Sequence, residues 1–221
     1  MKKILKAVLA MTASATLIAT GLLITSTPAQ AEGPLTYTYA GDSITNPSNS
    51  WSYTRFLGDP TLTSAGGVGI SGATSTAVAA AVQPNNADVL VVMVGTNDVR
   101  FGTNPKVVRD NVKKIVATVN PKHVVVAAVA PSNLTNYGSA HINRAKQGVI
   151  LNRTLSSSAT NMGWLFVDPW DGVRQMDGTW ANGRAQSDGV HPAVSTMSTP
   201  GDGVGVRFAK YMRVAVEGAL Q

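Results

Sequence analysis

The chain has 221 residues, no cysteine, and a formal net charge of +6 from 18 Lys and Arg against 12 Asp and Glu. Without cysteine there is neither a disulfide framework nor a thiolate metal site, so stability rests on an apolar core, which 44% hydrophobic residues can supply. Three of the positive charges sit at the start: Lys2, Lys3 and Lys6 precede an apolar run from Ala7 to Ile24, closed by Ala29-Gln30-Ala31. That small-x-small ending is one a signal peptidase accepts. The run approaches membrane-spanning length, but its many Thr and Ser residues and the closing Ala-x-Ala favour cleavage over a retained anchor. We therefore expect a signal peptide over 1–31 and one secreted domain over 32–221, with no stable membrane anchor. Cleavage removes three of the 18 basic residues and none of the 12 acidic ones, leaving net +3 on 190 residues. An excess that small excludes a nucleic-acid partner as the leading reading, and 190 residues suffice for one two-sided core.

Along the chain, β-rich runs alternate with helical ones, which predicts a parallel sheet of about five strands with helices on both faces, a three-layer α/β/α sandwich. Leu35–Ala40 reads as strand one and Trp51–Leu57 as a helix. Thr61–Ala65 is a weak second strand, and Ala73–Val82 an Ala-rich helix. Asp88–Val94 (DVLVVMV) is the clearest strand, near-continuously apolar as expected when both faces are covered. Pro105 opens a helix to about Val119. His123–Ala130 is strand four, Ala140–Ser158 a helix, and Trp164–Val167 a short strand five. A long irregular loop runs from Asp168 to His191, and Val204–Ala219 forms the closing helix.

Four segments carry chemistry, each just after a strand or in the last loop, where open α/β sheets bind ligands. Gly41-Asp42-Ser43-Ile44 leaves strand one by a glycine turn that can aim the Ser43 hydroxyl into the crevice; Asp42 is read as support for the turn. Gly67, Gly69 and Gly72 fit G-x-G-x-x-G, which raises a dinucleotide site. The match follows the second strand instead of the first, and the nearest downstream acid, Asp88, begins a strand where a ribose-binding acid should end one. The loop is therefore read as a source of backbone N–H donors, and no cofactor is expected. Gly95-Thr96-Asn97-Asp98 follows the most apolar strand and can present the Asn97 amide as a donor. In Ser187-Asp188-Gly189-Val190-His191-Pro192 a turn can bring the Asp188 carboxylate to one imidazole nitrogen, fixing the tautomer and leaving the other to take a proton. His123 and His141, at the starts of a strand and a helix, have no such acid.

The blocks GDSI, GISGAT, GTND and DGVHP together resemble the SGNH (GDSL-like) hydrolase family, in that family's chain order over residues 41–192. The resemblance implies a flavodoxin-like sheet and a serine esterase. Ser43 would be the nucleophile, and Asp188 and His191 would complete a catalytic triad. The oxyanion hole would comprise the N–H groups of Ser43 and Gly72 and the side-chain amide of Asn97. Two departures stand out: Ile44 replaces the family's leucine, and Gly67 stands where the second block usually has Asn. No G-x-S-x-G elbow or H-E-x-x-H occurs, so an ordinary α/β-hydrolase and a metal are not expected. The expected partner is a small-molecule or carbohydrate ester substrate, and the expected state is a monomer. The rival readings are a non-catalytic carbohydrate-binding module on the same fold and a nucleotide-binding enzyme. Trp170, Trp180 and Tyr137 either face a substrate or anchor loops to the core.

Overall fold

Five parallel strands form the central sheet: β1 (Leu35–Gly41), β2 (Leu62–Gly69), β3 (Val89–Met93), β4 (His123–Ala127) and β5 (Leu165–Val167), in the spatial order β2-β1-β3-β4-β5. They belong to a computed structural model that describes residues 34–55, 57, 62–193 and 204–219. Helices α1 (Ser75–Ala81), α2 (Pro105–Val119) and α3 (Arg144–Asn161) make the crossovers, and α4 (Val204–Gly218) closes the described chain. The chain thus travels outward from β1 to β2 and then back across to β3, β4 and β5. Where that direction reverses, between β1 and β3, the loops at the strand ends diverge and leave a crevice. The resemblance to a flavodoxin-like α/β sandwich holds.

Strand β3 shows why the sheet is central. All five of its residues are buried, and alternation sends them into two different cores. Val89, Val91 and Met93 join Tyr37, Val125, Trp170, Met212 and Val216 on one face. Leu90 and Val92 join Val78, Val108, Val112, Ile115, Leu151 and Leu155 on the other, beneath α1, α2 and α3. Helix α2 fits the second face because Val108, Val112, Ile115 and Val119 recur every three or four residues. Its start is fixed by Asn104, whose side chain accepts the Lys106 N–H, with Pro105 in the first turn. Among the described residues no helix is long and apolar enough to cross a membrane; the Ala7–Ile24 run and the expected cleavage site lie outside them.

Several boundaries differ from the sequence expectation, each for a local reason. The weak second strand runs on to Gly69, taking in Gly66, Gly67 and Gly69 of the glycine segment. Its pairing with β1 is bulged, with Tyr37 opposite Ser64 but Tyr39 opposite Gly67; Gly66, at φ 78°, supplies the extra bulge residue. A Cβ at Gly67 would lie 2.3 Å from the Tyr39 carbonyl oxygen, so this glycine is there for strand contact. The helix expected over Trp51–Leu57 is a single 3-10 turn, Tyr53–Arg55, which buries the Tyr53 ring and leaves Trp51 outside it. Helix α3 starts at Arg144, not Ala140, because Asn143 caps it and His141 holds a left-handed φ of 50°.

The loop from Asp168 to His191 is irregular but tightly fastened. Trp170 is fully buried and its indole N–H donates to the Ala128 carbonyl at 2.8 Å, while Trp180 meets it edge-on at 5.4 Å. Both tryptophans therefore anchor the loop and neither faces substrate. Arg174 reaches the Val129 carbonyl at 2.7 Å. The Asn133 N–H donates to Gly189 O at 2.7 Å, and its side-chain oxygen accepts the Trp180 N–H. The loop thereby rests on the segment leaving β4, and its last turn is held at the crevice.

Candidate active site

Ser43 stands two residues beyond β1, and the turn that carries it depends on Gly41. A Cβ there would lie 2.1 Å from Thr45 Oγ1 and 2.7 Å from the Met93 carbonyl oxygen, so only glycine lets the chain fold over the end of β3. The Asp42 carbonyl accepts the N–H groups of Thr45 and Asn46, and the buried Asp42 side chain accepts that of Ile44 at 3.0 Å. The Ser43 carbonyl is gripped from the far side by Asn49 Nδ2 at 2.7 Å and Trp51 Nε1 at 3.1 Å.

Ser43 Oγ lies 2.8 Å from His191 Nε2, and His191 Nδ1 lies 2.5 Å from Asp188 Oδ2. The other Asp188 oxygen accepts the N–H groups of Val190 and His191 at 2.8 and 3.0 Å. An ionised carboxylate can only accept, so the ring hydrogen belongs on Nδ1 and the Nε2 lone pair faces the serine hydroxyl. Burial acts to raise the Asp188 pKa, but the His191 ring and those two N–H groups hold it below the usual carboxylate value. Gly189, at φ 67°, allows the tight turn between acid and histidine. The Trp51 ring packs 4.6 Å from the imidazole, centre to centre, so one indole steadies both Ser43 and His191.

The remaining expected residues meet on the opposite wall. The Ile70 N–H donates to the Gly41 carbonyl, which seats the loop after β2 at the end of β1. Gly72 follows at φ 77°. Asn97 Nδ2 donates one hydrogen to the Ala73 carbonyl at 2.9 Å, leaving its second hydrogen uncommitted. Asp98 accepts both the N–H and the hydroxyl of Ser75 at 2.7 Å, so the last two residues of GTND tie the Gly72 loop down at two points. The N–H groups of Ser43 and Gly72 have no acceptor among the described residues. Ser43, Gly72, Asn97, Asp188 and His191 all line one cleft of about 500 Å³. No group of three or more His, Asp or Glu among the described residues is arranged to share a metal ion.

A family model described as the GDSL-like lipase/acylhydrolase family matches residues 39–196, which include every one of these cleft residues. The chain belongs to that family. No curated protein matches this GDSL-like chain by sequence. Among solved structures it is similar to a GDSL-like lipase from Bacteroides thetaiotaomicron, at 20% identity and TM-score 0.63, covering 83% of this chain and 88% of that one. A carbohydrate acetylesterase family member from Sinorhizobium meliloti matches at 14% identity and TM-score 0.60, covering 84% of this chain and 99% of that one. At such identities these likenesses establish the shared fold, and the family membership makes this GDSL-like chain a hydrolase.

Five cleft residues carry no motif in the sequence: Trp51 opens one expected helix and Arg144 lies in another, while Asn49, Arg100 and Leu134 fall outside every expected element. Tyr137, the third aromatic considered there, does line the cleft.

Asp42 behaves differently from Asp188. Burial pushes its carboxyl up to about 6, against the lowering influence of the Ile44 N–H, the Thr96 hydroxyl and the nearby His191. The folded state then holds a proton that the unfolded chain releases, so this contribution favours folding at about pH 4 and is lost as pH rises through 6. We predict that from pH 4 to 7 the Asp42→Asn variant gains stability relative to wild type by on the order of 2–3 kcal/mol. Urea denaturation of both proteins at the two pH values measures this, and a constant difference would rule the titration out.

Proposed function

We propose that the protein is a secreted serine esterase that hydrolyses carboxylic esters, acyl or acetyl, through an acyl-enzyme on Ser43. The observation that carries this reading is the alignment of Ser43 Oγ on His191 Nε2 at 2.8 Å, with the opposite ring nitrogen on Asp188. His191 takes the hydroxyl proton as Ser43 Oγ bonds to the ester carbonyl carbon. The carbonyl π electrons move to oxygen, where the N–H groups of Ser43 and Gly72 and the Asn97 amide stabilise the negative charge. The tetrahedral intermediate collapses, its C–O bond breaks, and the alcohol leaves with the proton from His191. Water then attacks the acyl-serine, giving its proton to His191, and the carboxylic acid departs as Ser43 regains its hydrogen. Asp188 holds the ring in one tautomer and stabilises the imidazolium without itself being protonated.

A non-catalytic binding module would have no need of a base aligned on a buried hydroxyl, and no observation favours that alternative. The Sinorhizobium meliloti neighbour supports a small or carbohydrate-linked ester as substrate class. Export rests on the lysine-rich start, the apolar run and Ala29-Gln30-Ala31.

Ser43→Ala and His191→Ala should each remove nearly all hydrolysis of 4-nitrophenyl esters, because triad members act as a unit. Ser43→Ala should also abolish labelling by an active-site phosphonate; labelling that persists, for instance on Ser71, would reassign the nucleophile. Asn97→Ala should lower kcat on the order of 10²–10³-fold with little change in KM, as expected for a donor used mainly in the transition state. The bond to Ala73 is lost as well, so stability should also fall by about 1 kcal/mol. A lower melting temperature with unchanged kcat would remove Asn97 from the reaction. Intact mass of protein secreted by the native host should correspond to a chain starting at Glu32, and a secreted form retaining residues 1–31 would contradict export by cleavage.

A further inference from the structure

The cleft contains two cations that ester hydrolysis as such does not use. Arg144 is only 5% exposed although it lines the cleft. Its Nη2 donates to the Thr96 carbonyl at 3.0 Å, while Nε is buried without a partner and Nη1 has none among the described residues. The guanidinium lies 5.4 Å from the centre of the Tyr137 ring. Arg100, exposed at the cleft edge, approaches the same ring at 5.3 Å. The Tyr137 backbone is held by reciprocal bonds with Ile142 at 2.8 and 3.0 Å. Neither arginine is ion-paired with a carboxylate of the described residues.

Burying an arginine without a counter-ion is unfavourable, and here two further features add to the cost. Arg144 is the first residue of α3, where the positive end of the helix dipole already lies. Arg100 repels it as well. Asp188 and Asp42 attract it at longer range, but Asp188 is engaged by the His191 ring and two N–H groups, and Asp42 is enclosed in the Ser43 turn. One neutral carbonyl and one aromatic face are weak compensation for a charge placed this deeply. The complement that would relieve it is a negative group in the cleft, for which a guanidinium offers directed donors.

We propose that the cleft selects esters that carry an anionic group, held by Arg144 and Arg100 beside Tyr137, while the ester carbonyl lies at Ser43. This rests on the esterase reading above. In a cleft of about 500 Å³ the anion and the scissile bond belong to one small molecule, such as an acetylated hydroxy acid or sugar acid. Carboxylate and phosphate share the required chemistry.

The test compares kcat/KM for 4-acetoxybenzoate and 4-acetoxyphenyl phosphate with that for neutral 4-acetoxybenzamide, in wild type and in Arg144→Gln, Arg144→Lys and Arg100→Gln. The anionic-to-neutral ratio should fall about tenfold in each Gln variant, mainly through KM, and Arg144→Lys should recover part of it. Added salt should lower the wild-type ratio more than the variants' ratios. A fall confined to the benzoate or to the phosphate would identify which anion the site takes. Ratios unchanged in both Gln variants would overturn the proposal. Arg144 is buried, so if Arg144→Gln does not fold, the ratio in Arg100→Gln decides. Should no ester be turned over, 4-nitrophenyl acetate included, the esterase reading fails on its own. The anion site is then judged by calorimetric binding of benzoate and inorganic phosphate: binding weakened in Arg100→Gln supports it, and no binding to wild type overturns it.

Discussion

Gly41 sits where β1 ends against β3, too close to the Met93 carbonyl and the Thr45 side chain for any Cβ. That contact lets the chain turn across the end of the sheet, and the turn fixes the direction of Ser43. The neighbouring loops take their position from the same place. The Gly41 carbonyl accepts the Ile70 N–H, which brings the Gly72 loop alongside, and Asn97 and Asp98 fasten that loop from the end of β3. Strand order makes the arrangement available: β1 and β3 are neighbours although β2 lies between them in the chain, so loops distant in sequence meet at one crevice.

Two carboxylates lie near the His191 imidazole, and their surroundings differ. Asp188 is on an exposed turn and accepts three hydrogen bonds, which keep it ionised. Asp42 is enclosed, and burial drives it toward the protonated form. The ionised group is the one that touches the ring, where in the proposed reaction a fixed negative charge would stabilise a developing imidazolium.

Much of this was legible in the sequence where local rules act alone. Pro105 at a helix start, the all-apolar DVLVVMV run and the Asp188-Gly-Val-His191 spacing depend on backbone and hydration physics within a few residues. The boundaries of α2 came out as the sequence indicated. The glycine segment was less legible, because Gly67 can serve a loop or a close strand contact, and only the position of Tyr39 across the sheet distinguishes them. Trp51 stands at the start of an expected helix; its indole instead serves the Ser43 carbonyl and the His191 ring, two partners that only tertiary structure brings to it. The long loop was correctly seen as irregular, yet nothing local indicated that Trp170 would reach the Ala128 carbonyl.

The same division separates what the four motif blocks hold from what they leave open. Ser43, Gly72, Asn97 and His191 issue from strand ends or from a loop fastened to them, where small displacements would misalign the proton path of the proposed reaction. Their residue types are constrained by geometry that any ester hydrolysed this way would require. Arg100, Tyr137 and Arg144 come from the segments between blocks, in the middle of a 3-10 turn, in the loop after β4 and at the first turn of α3. Such segments can change without moving the strand ends, so a common sheet can keep one reaction while its wall charges vary. A buried guanidinium in that wall is costly to maintain for packing alone, since a neutral side chain could fill the same space with less desolvation. Its presence therefore favours the proposed anionic ligand, and the residues that would hold it are ones no motif marks.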